Sequence, residues 1–169
     1  MLIQAVAIFK MPVGAIETQN KIGEVHQIVF DPKNGEIIGF EILLPGLITK
    51  KRILSMKDVL DFDRNGIVIK SEENLLDKKE IVKIDNIIRE GIQPFKSKAF
   101  TKSGKKIGKI FDLVIDTNSL LIIKYYIHGL FTDKIIDSDK VIKIEKGKVI
   151  FEDQVLDKIA SPKAEKAAA

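Results

Sequence analysis

Residues 21–42 read KIGEVHQIVFDPKNGEIIGFEI, and residues 106–127 read KIGKIFDLVIDTNSLLIIKYYI. The two stretches align without a gap at an offset of 85 and are identical at Lys21, Ile22, Gly23, Val29, Asp31, Ile37, Ile38 and Ile42. Val25 with Ile110, Ile28 with Leu113, Phe30 with Ile115, and Phe40 with Tyr125 are conservative pairs. Isoleucine matches are cheap in an isoleucine-rich chain; a glycine, an aspartate and an apolar alternation held in one register are not. Period-two spacing with β-branched side chains specifies strands. It puts Ile22, His26, Ile28 and Phe30 on one face, with Ile107, Phe111, Leu113 and Ile115 their counterparts, and Val25 and Val29 on the other. His26 therefore reads as a packed core residue. Asp31-Pro32-Lys33-Asn34-Gly35 is turn chemistry throughout, so each stretch is a hairpin.

The likeness continues downstream at an offset of 82, where RILSMKDVLDFDRNGIVI (52–69) corresponds to KIIDSDKVIKIEKGKVIF (134–151). Each segment has a bend containing Ser or Asp, a strand, a charged turn and a second strand. Asn65-Gly66 is a hairpin signal because both residues tolerate positive φ. Five or six short strands in about 75 residues suit a small barrel, which removes exposed sheet edges by closing. Between the copies, Leu75, Leu76, Ile84, Ile87 and Ile88 fall near helical spacing and Gly91 follows as a C-cap, which predicts a short helix around 79–90. The fold class expected is mainly all-β: two small antiparallel β-barrels in tandem joined by a short helix. The expected boundaries are a first barrel over 1–78, a helical linker over 79–91, a second barrel over 92–158 and a disordered tail over 159–169.

Composition narrows the classes of function. With 45% hydrophobic and 31% charged residues, the 169-residue chain has the makeup of a folded protein. It has no cysteine, which excludes disulfides, Cys-ligated zinc and thiol catalysis and suits a reducing, cytoplasmic setting. The apolar opening MLIQAVAIF meets Lys10 and Pro12 too early for a signal peptide or a membrane span. Charge is uneven: residues 1–85 hold 12 basic and 13 acidic side chains, and residues 86–169 hold 16 and 11. Lys96, Lys98, Lys102, Lys105, Lys106 and Lys109 form a run with no acid among them.

The pattern K-[IL]-G-x-[VI]-x-x-[LIV]-[LIV]-[FIV]-D, followed by a turn, an Ile/Val-rich return strand and a bend, resembles the PRC-barrel family. It covers about 20–76 and again about 104–156. The resemblance implies a small six-stranded antiparallel barrel. In two better-understood relatives the barrel is a docking module: a photosynthetic reaction-centre subunit with a membrane helix, and a ribosome maturation factor with a different first domain. A fold of this kind hosts many functions, so the resemblance implies only a class of role.

The candidate sites follow. Leu43, Leu44, Leu47 and Ile48 beside Lys50, Lys51 and Arg52 form either an apolar patch with a basic rim that binds a protein partner, or the seam between the barrels. Lys96, Lys98, Lys102, Lys105, Lys106 and Lys109 are the candidate contact for nucleic acid or ribosome, as an alternative role. Gly23 and Gly108 read as bulges or close backbone approaches, and Asp31 and Asp116 as turn formers. His26 and His128 occupy different places in the two copies, and neither has metal-ligand or triad spacing around it. No catalytic residue, metal ligand or cofactor is expected. The reading is a non-enzymatic protein-binding module, with His128 and a carboxylate such as Asp133 the remote enzymatic alternative.

Overall fold

The structure, a computed structural model, describes residues 1–159; the tail expected over 159–169 lies, from residue 160 onward, outside the described residues. The chain opens with β1 (Leu2–Gln4) and a single helical turn, α1 (Ala5–Ile8). Six strands make the first unit: β2 (Pro12–Ala15), β3 (Asn20–Phe30), β4 (Ile37–Leu44), β5 (Lys50–Ser55), β6 (Val59–Phe62) and β7 (Ile67–Ile69). A two-residue strand, β8 (Leu75–Leu76), and the helix α2 (Val82–Glu90) follow. The second unit comprises β9 (Lys98–Thr101), β10 (Lys106–Asp116), β11 (Leu121–Gly129), β12 (Asp133–Asp137), β13 (Val141–Glu145) and β14 (Lys148–Phe151).

The first sheet runs β6-β7-β2-β3-β4-β5 and the second β13-β14-β9-β10-β11-β12, the same order strand for strand. Within both sheets every pairing is antiparallel except β2 with β7 and its counterpart β9 with β14, which are parallel. The outer strands of each sheet are joined by one turn of 3-10 helix, Met56–Asp58 in the first and Ser138–Lys140 in the second, so the sheet curls barrel-like around its apolar face. Irregularities repeat as well. Register slips lie between Val25 and Gln27 and between Val29 and Phe30 in β3, and at Ile110/Asp112 and Val114/Ile115 in β10. Another lies at Val59/Asp61 and again at Val141/Lys143. Bulges re-aim side chains and survive as built features.

The first bulge overturns part of the period-two expectation. One extra residue at 26 reverses the phase of β3, so Val25 joins Ile22, Ile28 and Phe30 in the core while His26 turns outward, its side chain 44% exposed. Phe111 is turned out in the same way and stacks on the surface against His128 and Tyr126. Leu75 and Leu76, expected near a helix, instead pair with Leu54 and Ile53 of β5. Asn65-Gly66 makes its turn without positive φ. Asp63 Oδ1 accepts from the Asn65 and Gly66 amides, so a side-chain cap supplies what a left-handed turn would otherwise provide.

The two units exchange their leading segments. β1 pairs antiparallel with β10 of the second unit, and α1 lies against it. α2 lies on the outer face of the first unit, where Ile84 and Ile87 bury Val29 and Ile53. Helix α2 ends as its sequence requires: Gly91 sits at φ 67, its amide donating to the Ile88 carbonyl and that of Ile92 to the Ile87 carbonyl. Only a residue indifferent to positive φ closes that cap cheaply.

Around the junction the contacts are reciprocal. The Ile37 amide donates to the Leu120 carbonyl at 2.8 Å and the Ile122 amide to the Gly35 carbonyl at 3.2 Å, with Glu36 bridging Leu121. Each residue here meets the counterpart of its neighbour at the offset of 85 read from the sequence, as at an isologous two-fold contact. Gly35 (φ 73) and Leu120 (φ 61) share the left-handed conformation, as do Lys10 (φ 65) and Lys96 (φ 64). Phe9 and Phe95 pack ring to ring at 4.8 Å. One apolar core runs through both units, including Phe40 and Ile37 from the first and Tyr125, Ile122 and Phe151 from the second. Burial pushes the Tyr125 hydroxyl far up, so it stays protonated at any ordinary pH.

Candidate interaction surfaces

The repeated glycines are set by backbone approach. A Cβ on Gly108 would lie 1.9 Å from the His128 carbonyl oxygen, and one on Gly23 would lie 2.8 Å from that of Leu43. Strands β3 and β4, like β10 and β11, come together where a side chain has no room. The repeated aspartates close the hairpins that follow. Asp31 Oδ1 accepts from the Lys33 amide at 3.0 Å, and Asp116 Oδ1 from the Asn118 amide at 3.2 Å.

Each aspartate also stands where an exchanged segment is held. Lys83 of α2 reaches Asp31 Oδ2 at 2.6 Å, and the Met1 carbonyl accepts from the Thr117 amide beside Asp116 at 2.9 Å. Burial would push the Asp31 carboxyl up, but the Lys83 ammonium and the Lys33 amide outweigh it and hold it below its ordinary value. Asp116 is held low chiefly by the Asn118 amide, against some loss of hydration, with Ser119 adding to it. Both carboxylates hold loops.

The loop between β4 and β5 presents the first surface. Leu47 and Ile48 are 107% and 77% exposed, so they are fully in water and seal no seam. Leu43 and Leu44 are half-buried, and Leu44 packs on the core. A cleft of about 360 Å³ opens beside them, lined by Lys21, Gly23, Glu24, Leu43, Leu44 and Pro45. The basic rim is partly committed. Lys51 lies 3.0 Å from Glu41, a carboxylate only 6% exposed that also has His26 at 3.7 Å, and Arg52 pairs with Asp77 at 3.0 Å. Lys50 is exposed and makes no ion pair among the described residues.

The equivalent loop of the second unit, between β11 and β12, also ends in two bare hydrophobics: Leu130 is 86% exposed and Phe131 92%. The signal lies in the sequence: Gly46-Leu47-Ile48-Thr49 and Gly129-Leu130-Phe131-Thr132 share Gly, Leu and Thr at an offset of 83, between the offsets of 85 and 82 on either side. The six lysines of the basic run are all exposed and, among the described residues, none makes an ion pair with a carboxylate. They are divided among the left-handed corner at Lys96, strand β9 (Lys98), the β9–β10 loop (Lys102, Lys105) and strand β10 (Lys106, Lys109).

His128 and Asp133 do meet, Nδ1 to Oδ1 at 2.7 Å, with side chains 59% and 62% exposed. They face each other across the β11–β12 ladder, so the structure brings together the two residues named for the remote enzymatic alternative. Among the described residues no group of three or more His, Asp or Glu side chains converges as a metal site would require.

A curled sheet, repeated strand for strand and carrying apolar loop tips, defines a small β-barrel scaffold. Residues 4–76, which span the first unit, match the PRC-barrel domain. That match stops before the second unit, which is tied to the first by strand order and bulge positions. No curated protein matches the chain. Among the described residues no helix is long and apolar enough to cross a membrane.

Proposed function

We propose that the protein is a non-enzymatic docking module of the cytoplasm that binds a protein partner through the Leu43–Arg52 segment of its first unit. The observation that carries this reading is the high exposure of Leu47 and Ile48 at the tip of a loop with a cleft at its base. Two neighbouring aliphatic side chains held in water are unfavourable by about 25 cal/mol per Å² of surface a partner would cover. Lys50 and the half-exposed Lys51 give the patch a basic rim suited to a partner with acidic residues around an apolar centre. The exposure of both His128 and Asp133 supports a non-enzymatic role, since neither sits in a setting from which water is excluded. Cytoplasmic placement rests on the absence of cysteine.

Quantitative affinity capture from the source cells, comparing the wild type with Leu47→Asp/Ile48→Asp, tests the proposal. A partner recovered by the wild type should be lost from the double variant and retained by Val82→Asp, a control at an exposed helix position. Equal recovery by all three proteins would refute the assignment of this surface.

A further inference from the structure

We propose that the outer face of the second unit binds a single-stranded nucleic acid, with phosphates along a cationic row that crosses the sheet and a base against the exposed side of His128. This site lies on a different unit from the protein-docking loop and stands or falls independently of it.

Strand register builds the row. Lys148 of β14 lies beside Lys98 of β9, Lys98 beside Lys109 of β10, and Lys109 beside His128 of β11. All four are exposed, so they share the outer face. Strands are spaced about 4.8 Å apart, so four neighbouring positions span about 14 Å. Like charges directly opposite on adjacent strands destabilise a sheet, yet no acid interrupts this line. The acids stand at its ends: Asp133 on His128 at 2.7 Å, and Glu145 on Lys148 at 3.2 Å and Lys143 at 2.5 Å. Lys98 and Lys109, in the middle, make no ion pair among the described residues. Lys106 and Lys105 continue the positive field toward the β9–β10 loop.

Beside the row lies an aromatic platform. The His128 ring stacks on Phe111 with centroids 3.8 Å apart and planes 15° apart, and Phe111 stacks on Tyr126 at 6.0 Å. Asp133 holds the imidazole at its Nδ1 edge, and the His128 side chain stays 59% exposed. A basic track with stacked rings beside it is the arrangement that recognises single strands with little regard to sequence. An acidic peptide or an anionic lipid headgroup would use the lysines and leave the rings idle. The charge pattern also favours a chain crossing the strands over a peptide added at a sheet edge.

The probe is a fluorescent 12-nucleotide oligouridylate titrated by anisotropy at several salt concentrations, with the full chain. About three phosphate contacts predict a slope near −2 in log K against log salt. Lys98→Glu/Lys109→Glu should weaken binding at least about tenfold and flatten that slope. His128→Ala should weaken it about fivefold or more while leaving the slope unchanged, a split that separates stacking from charge. All the substituted side chains are exposed, and unchanged urea midpoints verify the fold. The proposal is overturned by absence of binding, by binding indifferent to the double charge reversal, or by equal competition from polyglutamate or phosphatidylserine vesicles. Loss of binding with Lys50→Glu/Lys51→Glu alone would likewise move the site off this face and refute it.

Discussion

The first and second units use one row of outward positions for opposite ends. In the second it reads Lys98, Lys109, His128, Asp133 across β9 to β12; the equivalent positions in the first are Pro12, Glu24, Leu43 and Lys51 across β2 to β5. The backbone register is the same, and so are the bulges that aim these side chains. What differs is the chemistry presented: lysines unpaired among the described residues beside a His–Asp pair in one unit, and an apolar and mixed-charge surface in the other. Duplication thus preserved the features that backbone geometry demands, glycine at the close approach and aspartate at the turn, and left the exposed row free to diverge.

The sharpest test of this likeness is at the shared glycine. Gly108→Ala should cost about 3 kcal/mol or more, because its Cβ would meet a backbone oxygen that moves only with strand β11. Gly23→Ala should cost less, about 1–2 kcal/mol, since its nearest obstacle is the Ile42 side chain, with the Leu43 carbonyl next. Urea denaturation of both variants measures the difference. Equal and small losses would mean the close approach is not what fixes glycine there.

Next in size is the exchange of leading segments. Ile84→Ala empties part of a small cluster with Val29 and Ile53 and should cost about 2–3 kcal/mol. Ile3→Ala, on β1, removes a comparably buried side chain from the segment laid on the second unit and should cost about as much. If either substitution left the urea midpoint unchanged, the segment bearing it would be an ornament and the exchange one-sided.

Much of this was legible in the sequence, and the parts that were not share a cause. The hairpins, the strand count and the Gly91 cap follow from local chemistry, since turns, alternation and caps act over a few residues. His26 was misplaced because a bulge inserts one residue and inverts every face after it, and no side chain at 25–27 marks that insertion. The crossing of β1 and α2 to the opposite units is a tertiary choice, invisible to periodicity. Leu120 shows the same limit: a leucine at φ 61 is held there by its partner hairpin, not by its own preference. At the surfaces, the lysines were visible as a run, but the row they form with Lys148 and His128 appears only once β9, β10, β11 and β14 lie side by side.

The repeated aspartates give a comparison in pH. Both carboxyls sit below their ordinary value in the folded chain, so each contributes stability that is complete above pH 3.8 and is lost as the pH falls through the lower folded value. Asp31→Asn and Asp116→Asn should therefore each lie below the wild type in stability at neutral pH and converge on it as the pH falls below 3.8 and through the lowered folded values. Asp31→Asn should show the larger gap, because Asp31 is largely buried and also holds Lys83.

The smallest effect separates holding from closing a turn. Lys83→Gln removes the ion pair to Asp31 but leaves the Lys33 amide bond intact, so it should cost about 0.5–1 kcal/mol, in the range of a partly exposed pair. Combined with Asp31→Asn, the two losses should fall short of their sum, since both delete the same contact. Strict additivity in that double-mutant cycle would mean that α2 is kept on the first unit by Ile84 and Ile87 alone. Asp31 would then do no more than Asp116 does: start the turn that lets its hairpin meet the other.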